Sequence, residues 1–403
     1  MLNSETIAII KSTVPVLEVH GNAITTRFYQ LLFENHPELL NIFNHANQKQ
    51  GRQQTALANA VYAAAKNIDQ LETIIPVVKQ IGHKHRSLGI KAEHYPIVGK
   101  HLLMAIKDVL GDAATDEIIN AWAEAYGVIA DAFISVEHEM YVAAEQQKGG
   151  WADFRTFVVY KKVEESNVIT SFYLKPVDGQ SIASFIPGQY ISVKVNIPGD
   201  DYTHIRQYSL SDAPGQDYYR ISVKREDSLN DKPNGKVSTY LHQNIKVGDT
   251  LEVSAPAGDF VLDTESSEPL VLLSGGVGLT PMMSMLNTTL ANQPERSVSF
   301  VHAAISGEYQ AFGEYVKELD KRHDSLSAYV CYEKPTADDI AKQQYNKAGY
   351  IDLEFLQANV DKQSVFYVCG PVPFMKAMYQ ALKQWGVQDN KIHYEFFGPA
   401  MSM

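Results

Sequence analysis

One segment of this 403-residue sequence has the composition of a phosphate-binding turn. An apolar run, Leu270–Leu273, leads into Ser274 and then into the turn Gly275-Gly276-Val277-Gly278-Leu279-Thr280-Pro281. Glycines let a backbone approach a pyrophosphate closely, and a helix that begins there offers free N–H groups and positive potential. A ligand-free turn between a strand and a helix could have the same composition, and the spacing departs from G-x-G-x-x-G. The turn therefore predicts a dinucleotide site only together with other motifs.

Three further motifs accompany the turn. The first consists of two short segments, Pro187-Gly188-Gln189-Tyr190 and then Arg206-Gln207-Tyr208-Ser209. The second is a predicted loop that enters a helix, at Gly235–Leu241. The third is the segment that closes a later apolar strand, Cys369-Gly370-Pro371. In this order the motifs resemble the ferredoxin–NADP reductase superfamily, in which a flavin-binding barrel precedes a nicotinamide-binding domain. The resemblance covers roughly residues 151–399.

The resemblance implies roles for individual residues in binding FAD. Arg206 would form charge-assisted bonds to the flavin pyrophosphate, with Gln207 beside it. Tyr208 would pack on the isoalloxazine ring, and Ser209 would form a hydrogen bond near its reactive nitrogen. Considered alone, Tyr208 could equally be a core aromatic residue and Arg206 a surface charge. The same resemblance places Tyr190 on the adenosine or ribityl side of the flavin and makes Ser238 a donor to phosphate.

The C-terminal part of the chain contains candidate residues for the site where the nicotinamide meets the flavin. The resemblance places Cys369 beside the nicotinamide, although a small buried residue at a strand end is nearly as good an interpretation. It also makes Phe397 the aromatic side chain that stacks on the flavin, within Phe396-Phe397-Gly398-Pro399. The segment His302–Gly307 has no arginine to hold a 2′-phosphate, which favours NADH over NADPH. Within it, Ala303–Gly307 departs from the polar pattern of the family.

The first third of the chain contains a candidate haem ligand. His83 and His85 lie two residues apart in a predicted helix, face nearly opposite directions and therefore cannot share a metal. The passage from His83 to Gly99 resembles the proximal segment of bacterial globins, particularly flavohaemoglobins, which implies that His85 binds the iron of haem b. The same resemblance makes Tyr95 and Glu137 the hydrogen-bonding partners of its imidazole, although Glu137 could also lie on a solvated helix face.

Phe28 and four candidate site residues match the distal pocket of that family in order and approximate spacing. Tyr29 would donate a hydrogen bond to bound oxygen, and Gln53 would add or relay a second donor. Phe43 would pack on the porphyrin, and Leu57 lies four residues from Gln53 on the same helix face. Lys84, next to the proximal ligand, would tune electron transfer, although a solvated lysine is the simpler interpretation.

The elements that must position these residues fall into three regions. Residues 1–147 show helical periodicity throughout, in Ile7–Val19, Ile24–Phe33, Ala56–Ile68 and Trp122–Tyr141. Residues 151–262 read as short strands of an antiparallel FAD-binding barrel, followed by a linker at Asp263–Pro269. Strands and helices alternate over residues 269–403, which predicts a doubly wound parallel sheet that binds NAD(P). The predicted fold class is therefore an all-α globin, a β-barrel and an α/β domain.

Bulk composition narrows the classes of partner. The formal charge of −12 disfavours nucleic acid, since phosphate binding needs a basic surface. The sequence has two cysteines, so no disulfide framework is expected and a reducing compartment is favoured. Eighteen consecutive apolar residues do not occur, and the N-terminus lacks the profile of a signal peptide. We expect a cytoplasmic monomer whose partners are small molecules.

The combined resemblance is to flavohaemoglobins. It implies a nitric oxide dioxygenase that binds oxygen and removes NO as nitrate, with electrons passing from NAD(P)H through FAD to haem. Two alternatives remain open at this point. The chain could mainly reduce ferric iron or flavins with NAD(P)H, or reduce NO without oxygen. It could instead be an oxygen or NO sensor, although no signalling module is evident in the sequence.

Overall fold

The computed structural model of the chain describes residues 2–228 and 233–398. Pro399, one of the predicted flavin-side residues, and the tail that follows it lie outside the described residues. The described chain divides into two compact units. The first contains residues 2–154 and 194–206 together with Gly398, and the second contains residues 155–193 and 207–397.

The first unit is built mainly from α-helices. In chain order they are α1 Ser4–Ser12, α2 Val14–Asn35, α3 His45–Lys49, α4 Arg52–Lys66, α5 Ile75–Leu88, α6 His94–Leu110 and α7 Asp116–Gln146. Short 3-10 turns at Pro37–Asn41, Leu71–Ile74 and Gly111–Ala113 connect some of them. The described part of residues 1–147 contains no β-strand, which agrees with the helical periodicity of the sequence.

The helix boundaries follow local signals in most places. Thr115 caps α7 by accepting a hydrogen bond from the Ile118 amide, and Gly111 ends α6. The prediction differs at one boundary, because Ile7–Val19 is not one helix. The chain breaks at Thr13, whose N–H returns to Ile10 while Pro15 occupies the first turn of α2. Proline lacks an N–H and fits a first helical turn best, so it restarts the helix there.

A six-stranded sheet forms the barrel. Its strands are β1 Phe154–Glu164, β2 Ile169–Pro176, β3 Tyr190–Val195, β4 His204–Ser209, β5 Tyr219–Lys224 and β6 Thr250–Ser254, and the helix α8 Lys236–Gln243 lies between the last two. The strand order is β4-β3-β6-β1-β2-β5. A bridge between Leu210 and Ile221 joins the chain just after β4 to β5, so the two ends of the sheet meet and nearly close the barrel.

The remaining elements alternate between strand and helix. They are β7 Leu270–Gly275, α9 Leu279–Asn292, β8 Val298–Ala304, α10 Gly313–Arg322, β9 Leu326–Tyr332, α11 Ala337–Lys342, β10 Lys347–Ala348, α12 Leu353–Asn359, β11 Val365–Cys369, α13 Val372–Trp385 and β12 Ile392–Glu395. The parallel sheet has the order β10-β9-β8-β7-β11-β12. The edge strands β10 and β12 are each at most four residues long, too short for a clear sequence pattern.

Both faces of the parallel sheet are buried, which explains the continuous apolar run of its central strand. In β7, Leu270 and Leu272 face a core that includes the methionines of α9, whereas Val271 and Leu273 face a core that includes Met375 of α13. A strand covered on both sides needs apolar residues at consecutive positions. The sheet therefore carries helices on both faces, as predicted.

Among the described residues, no helix combines the length and the apolarity that crossing a membrane requires.

Candidate functional site

His85 is held by a hydrogen-bonded network of three side chains. Its Nδ1 donates to Glu137 Oε1 at 2.7 Å, and the Tyr95 hydroxyl donates to the same carboxylate oxygen at 2.7 Å. The Tyr95 oxygen also lies 3.2 Å from His85 Nδ1. Glu137 is only 4% exposed at its side chain, whereas His85 is 32% exposed. The network thus fixes one ring nitrogen and leaves the other edge of the imidazole accessible.

Three different helices supply this network. His85 lies in the last turn of α5, Tyr95 in the first turn of α6, and Glu137 in the C-terminal half of α7. Burial, followed by the negative charge of Glu137, raises the pKa of the Tyr95 hydroxyl, so this group remains a protonated donor. A buried carboxylate that accepts two hydrogen bonds has the partners that such a charge needs.

Sequence reasoning missed one aromatic neighbour of the network. Phe133 lies one helical turn before Glu137 on α7, and its ring centroid is 5.9 Å from that of His85 and 6.2 Å from that of Tyr95. Residues four apart share a helix face, so the spacing from Glu137 was the signal that could have identified it. Phe133 limits the orientations that the imidazole can take.

Tyr29 lies at the centre of a second cluster in the same unit. Its ring contacts those of Phe28, Phe33 and Phe43 at centroid distances of 4.8, 5.8 and 5.8 Å. Burial raises the pKa of the Tyr29 hydroxyl, which therefore stays a hydrogen-bond donor at neutral pH. Phe43 and Leu57 pack against the same core. Three of the four predicted distal residues are thus brought together in one aromatic and aliphatic cluster.

The fourth predicted residue, Gln53, bonds to another glutamine. Its Oε1 accepts a hydrogen bond from Gln48 Nε2 at 2.8 Å, and Gln54 Nε2 donates to Gln48 Oε1 at 3.0 Å. Gln48 also lies close enough to the Tyr29 hydroxyl to lower its pKa, against the larger effect of burial. Gln48 was not identified from the sequence, because a five-residue helix such as α3 has too little periodicity to indicate which side chain turns inward.

Lys84 was predicted to tune electron transfer. Its Nζ donates to the Gly398 carbonyl oxygen at 3.4 Å, and both residues belong to the first compact unit. This contact is compatible with the prediction, and it is also what a partly solvated lysine forms with a nearby backbone carbonyl.

These residues fit a haem. His85 Nδ1 is used by Glu137, and the described residues give its Nε2 no hydrogen bond, so Nε2 is the atom left for iron. An imidazole supported by a carboxylate is a common metal-binding arrangement. Tyr29 supplies a buried donor, while the rings of Phe28, Phe33 and Phe43 supply the apolar surface that a porphyrin requires.

The glycine turn forms a cradle of backbone atoms at the end of β7. Gly276 has φ +53°, a left-handed conformation that favours glycine, and α9 begins at Leu279 without a capping bond from any described side chain. The Leu279 N–H already bonds to the Gly276 and Val277 carbonyls of the preceding turn, so the start of α9 offers a ligand the positive end of the helix dipole rather than that N–H. The Thr280 hydroxyl donates to the Val277 carbonyl and stabilises the turn. This geometry fits a dinucleotide pyrophosphate.

The glycine turn lies directly against the motif that follows β11. A Cβ built on Gly278 would lie 2.2 Å from the Cys369 carbonyl oxygen and 2.6 Å from the Gly370 nitrogen. Cys369 is fully buried, and burial raises the pKa of its thiol well above the usual range. The two motifs, separated by about ninety residues in the sequence, therefore meet because β7 and β11 are neighbours in the sheet.

The four residues Arg206–Ser209 form the C-terminal part of β4, which ends at Ser209. Arg206 Nη1 donates to the Ile205 carbonyl at 2.7 Å, and Gln207 Nε2 donates to the Ser192 hydroxyl at 3.2 Å. Arg206, Gln207 and Tyr208 are partly exposed, whereas Ser209 is buried. A half-exposed guanidinium and aromatic ring on one strand fit a bound flavin pyrophosphate and ring system.

Two other predicted flavin-side residues have internal partners. Tyr190, at the start of β3, forms backbone hydrogen bonds with Ala257, and its ring lies 3.0 Å from where a Gly258 Cβ would be. Ser238 lies in the first turn of α8, where its hydroxyl donates to the Gly235 carbonyl and accepts from the Glu226 amide, both at 3.1 Å. These bonds give Ser238 a local structural role beside its predicted contact with phosphate.

The end of the parallel sheet also holds a buried polar pair and the closing aromatic residues. Ser274 Oγ and His302 Nδ1 lie 2.8 Å apart on β7 and β8, and burial lowers the pKa of His302 to about 4. This pair was not identified from the sequence. Phe396 packs against the core next to α13, whereas Phe397 is 48% exposed, as a side chain that contacts a ligand would be.

Comparison with protein families divides the chain in the same order. Residues 26–133 match the family described as globin, residues 156–262 the oxidoreductase FAD-binding domain, and residues 272–380 the oxidoreductase NAD-binding domain. Haem, FAD and NAD are therefore the cofactors of this chain, and the chain is an oxidoreductase.

Similar proteins extend over the whole length. The flavohemoprotein of Bacillus thuringiensis subsp. konkukian is 62% identical over 404 residues, covering 100% of both chains, and that of Bacillus subtilis is 57% identical over 406 residues, covering 100% of this chain and 99% of the other. Among solved structures, the flavohemoglobin from Malassezia yamatoensis with bound FAD and heme has a TM-score of 0.85 at 28% identity and covers 98% of this chain and 100% of that one.

A structure of part of a related protein is similar to the reductase portion. The flavohem-like FAD/NAD-binding domain of a nitric oxide dioxygenase from Vibrio cholerae is 42% identical, with a TM-score of 0.56, and covers 61% of this chain and 100% of that one. Together with the full-length relatives and the three domain matches, this shows that the chain belongs to the flavohaemoglobin, or flavohemoprotein, family.

Proposed function

We propose that this protein is a nitric oxide dioxygenase that converts NO and O2 to nitrate with electrons from NAD(P)H. The observation that carries the proposal is the Glu137–His85–Tyr95 network, in a globin that shares its chain with a flavin- and nicotinamide-binding reductase. Oxygen storage needs neither a strongly donating proximal ligand nor a reductase. Redox turnover uses both.

The cofactors divide the electron chemistry. When bound, the nicotinamide supplies a hydride, the flavin divides that electron pair into single electrons, and the haem iron binds oxygen and changes its oxidation state by one electron. On the proximal side, Glu137 accepts the Nδ1–H of His85 and so increases electron donation from Nε2. Tyr95 donates to the same carboxylate and holds it in place.

On the distal side, the chain supplies a donor in an apolar setting. The Tyr29 hydroxyl, kept protonated by burial, orients and stabilises a ligand that gains negative charge. Gln53, hydrogen-bonded to Gln48, adds or relays a second donor. Phe43 and Leu57 pack around this position and exclude water, which strengthens each hydrogen bond.

On the reductase side, Arg206 would hold the flavin pyrophosphate, with Gln207 beside it, Tyr208 would pack on the isoalloxazine, and Ser209 would form a hydrogen bond near its reactive nitrogen. The turn from Gly275 to Thr280 binds the pyrophosphate of the nicotinamide cofactor at the start of α9. Cys369 would lie beside the nicotinamide, and Phe397 would stack on the flavin where the nicotinamide must enter. Tyr190 and Ser238 complete the flavin side.

Further properties follow from the same proposal. The functional domains are residues 1–147, 151–262 and 269–403, and the protein acts as a cytoplasmic monomer on NO and O2. NADH is the favoured electron donor, because the segment from His302 to Gly307 has no arginine for a 2′-phosphate. Lys84, next to the proximal ligand, tunes electron transfer.

Substitution of Tyr29 tests the distal assignment. Tyr29→Phe removes one hydroxyl and keeps the ring that packs against Phe33 and Phe43. We expect about 10²-fold lower turnover of NO to nitrate, because one preorganised donor to a developing charge is lost. The rate of O2 dissociation, followed by absorbance after rapid mixing, should rise in parallel.

The control is flavin reduction by NADH in the absence of oxygen, which Tyr29→Phe should leave unchanged. Unchanged nitrate formation by the variant would show that the distal assignment is wrong. Nitrate formed by the parent protein should also depend on oxygen; NO consumption at the same rate without oxygen would favour a reductase over a dioxygenase.

A further inference from the structure

Asp212 lies in the turn between β4 and β5 and bonds to two different parts of the second unit. Its Oδ1 accepts a hydrogen bond from Asn287 Nδ2 of helix α9 at 2.9 Å. Its Oδ2 accepts the Tyr218 hydroxyl at 2.9 Å and lies 3.4 Å from Arg220 Nη1. The carboxylate therefore links the flavin-binding barrel to the helix that follows the glycine turn.

Arg220, a buried cation on β5, stabilises this carboxylate and contacts a second element of the nicotinamide side. Its Nε donates to the Ser211 hydroxyl at 3.2 Å, and its guanidinium carbon lies 4.8 Å from the centre of the Phe312 ring. Phe312 has φ +59°, a left-handed conformation that is uncommon for residues other than glycine. Such a conformation persists where surrounding contacts fix it.

Together, Asp212, Arg220, Asn287 and Phe312 form what we name the Asp212 cluster. An independent contact lies nearby, where a Cβ built on Gly188 of the barrel would come within 2.7 Å of the Met285 methyl group of α9. The barrel and α9 are therefore joined by both a close apolar contact and a polar network.

The ends of this connection are close in sequence to the predicted cofactor sites. Asp212 follows Ser209, the last residue of the flavin tetrad, by three residues. Asn287 follows Gly278 of the dinucleotide turn by nine residues, along a single continuous helix. A displacement between Asp212 and Asn287 would therefore change the separation between the flavin and the nicotinamide.

We infer that the Asp212 cluster is a positioning device for hydride transfer, in which Asp212 and Asn287 fix the distance between the two cofactors. The inference rests on the proposed function. In the step concerned, the C4–H bond of the dihydronicotinamide breaks and its electron pair forms a bond from that hydrogen to flavin N5. The nicotinamide is oxidised and the flavin is reduced by two electrons. Such a transfer requires reacting atoms held about 3–3.5 Å apart.

Asn287→Ala is the variant that tests the inference. It removes the bond across the connection and also the bond that Asn287 Oδ1 accepts from the Tyr315 hydroxyl at 3.1 Å, but it leaves Asp212 paired with Arg220, so no buried charge loses its partner. Tyr315→Phe removes only the second of these bonds and should reduce its flavin at the parent rate. Asn359→Ala is the matched control, because among the described residues the Asn359 side-chain amide bonds only to the Phe355 carbonyl within its own helix, at 2.8 Å. All three variants are prepared as full-length protein loaded with FAD and haem.

Flavin reduction is followed by stopped-flow absorbance without oxygen, at saturating NADH and with 4-deuterated NADH. We expect Asn287→Ala to reduce its flavin about ten-fold more slowly, with a larger deuterium isotope effect, because a small displacement of reacting groups costs rate rather than affinity. Binding of NAD⁺ should change less than two-fold. Asn359→Ala should match the parent protein in all three measurements.

Hydrogen–deuterium exchange provides a readout that needs no turnover. In Asn287→Ala without added nucleotide, amides of the turn around Asp212 and of the first half of α9 should exchange faster than in the parent. In a Tyr315→Phe background, which lacks the other side-chain bond of Asn287, Asp212→Ala combined with Asn287→Ala should slow flavin reduction no further than Asp212→Ala alone, because both changes then break the same link.

The outcomes separate this inference from the proposed function. If the parent flavin is reduced by NADH and the Asn287→Ala flavin is reduced at the same rate and isotope effect, the positioning role is overturned and the proposed function stands. A weaker affinity for NAD⁺ with an unchanged rate at saturation would also overturn it. A parent flavin that NADH never reduces would overturn the proposed function itself.

Discussion

The regions of this chain that we propose to bind haem and nucleotide, called below the haem-binding and nucleotide-binding regions, are assembled in opposite ways. The first is built from side chains on separate helices, with His85, Tyr95 and Glu137 meeting around one carboxylate oxygen. The second is built from backbone, with Gly278 packed against the Cys369 carbonyl where no side chain fits. The difference predicts which substitutions each region tolerates. The haem-binding region should be sensitive to a substitution that changes the charge of a side chain but keeps its shape. The nucleotide-binding region should be sensitive to a substitution that adds any atom.

The largest expected effect is in the nucleotide-binding region. Gly278→Ala places a methyl group against the backbone of Cys369 and Gly370, which cannot move without displacing β11. We expect the free energy of unfolding of the reductase portion to fall by about 3 kcal/mol, since inserted atoms in a packed site force backbone shifts. Urea denaturation would measure the loss, and calorimetry should show much weaker binding of NAD⁺.

A glycine in the haem-binding region serves as the control. Gly127 lies within α7, and a Cβ built there would meet no atom within 4 Å. Gly127→Ala should leave unfolding unchanged or stabilise it by up to about 1 kcal/mol, because alanine favours a helix. If Gly278→Ala were tolerated equally well, the contrast between the two regions would fail.

Two histidines extend the comparison. His85 is partly exposed and faces a carboxylate, whereas His302 is buried at the end of β8 with the Ser274 hydroxyl as its partner. Burial lowers the pKa of His302 from 6.5 to about 4, so folding disfavours its protonation. The unfolded chain binds this proton more readily. Stability from the neutral imidazole is therefore complete above the unfolded pKa and is lost as the pH falls from 6.5 towards 4.

This sign gives a pH-dependent prediction. On acidification from about pH 7 to pH 5, the reductase portion should lose roughly 2 kcal/mol of unfolding free energy to His302 alone. His302→Asn removes the titrating group, so the variant should be less stable than the parent at pH 7 but should lose less on acidification. Urea denaturation at both pH values measures this, and equal losses in the two proteins would show that His302 is not the group responsible.

How much of the structure can be predicted from the sequence depends on how far apart in the chain the interacting residues lie. The turn at Gly275–Thr280 was predictable, because a strand, a glycine turn and a helix start are consecutive in the chain. The break at Thr13 was not, because Pro15 is compatible both with a first helical turn and with continued apolar periodicity. Local patterns specify which elements form more reliably than where they end.

Contacts between distant residues need a different source of information. Resemblance to a family identified His85, Tyr95 and Glu137, which periodicity alone could not have associated. Neither periodicity nor family resemblance identified the hydrogen-bonded pairs Asp212–Asn287 and Ser274–His302. Each pair forms only when the fold brings separate elements together. An aspartate or a serine in a turn or strand end is common, so its type carries no signal of a specific partner.

The smallest expected effect sharpens the comparison from the haem side. Glu137→Gln keeps the shape of the side chain and replaces a charged acceptor of the His85 Nδ1–H with a neutral one. A hydrogen bond to a charged group is stronger than a neutral one by about 1 kcal/mol, so the imidazole should donate less electron density to ferric iron. We expect the haem midpoint potential to rise by roughly 40 mV, about five-fold in the ratio of ferrous to ferric iron. Potentiometric titration measures this shift.

The control is Glu139→Gln, two residues away on the exposed face of α7, which removes the same charge without touching His85. A shift of equal size in both variants would mean that the general charge of the helix sets the potential. A shift confined to Glu137→Gln would mean that the haem-binding region responds to a single proton acceptor, whereas the nucleotide-binding region responds to a single added methyl group.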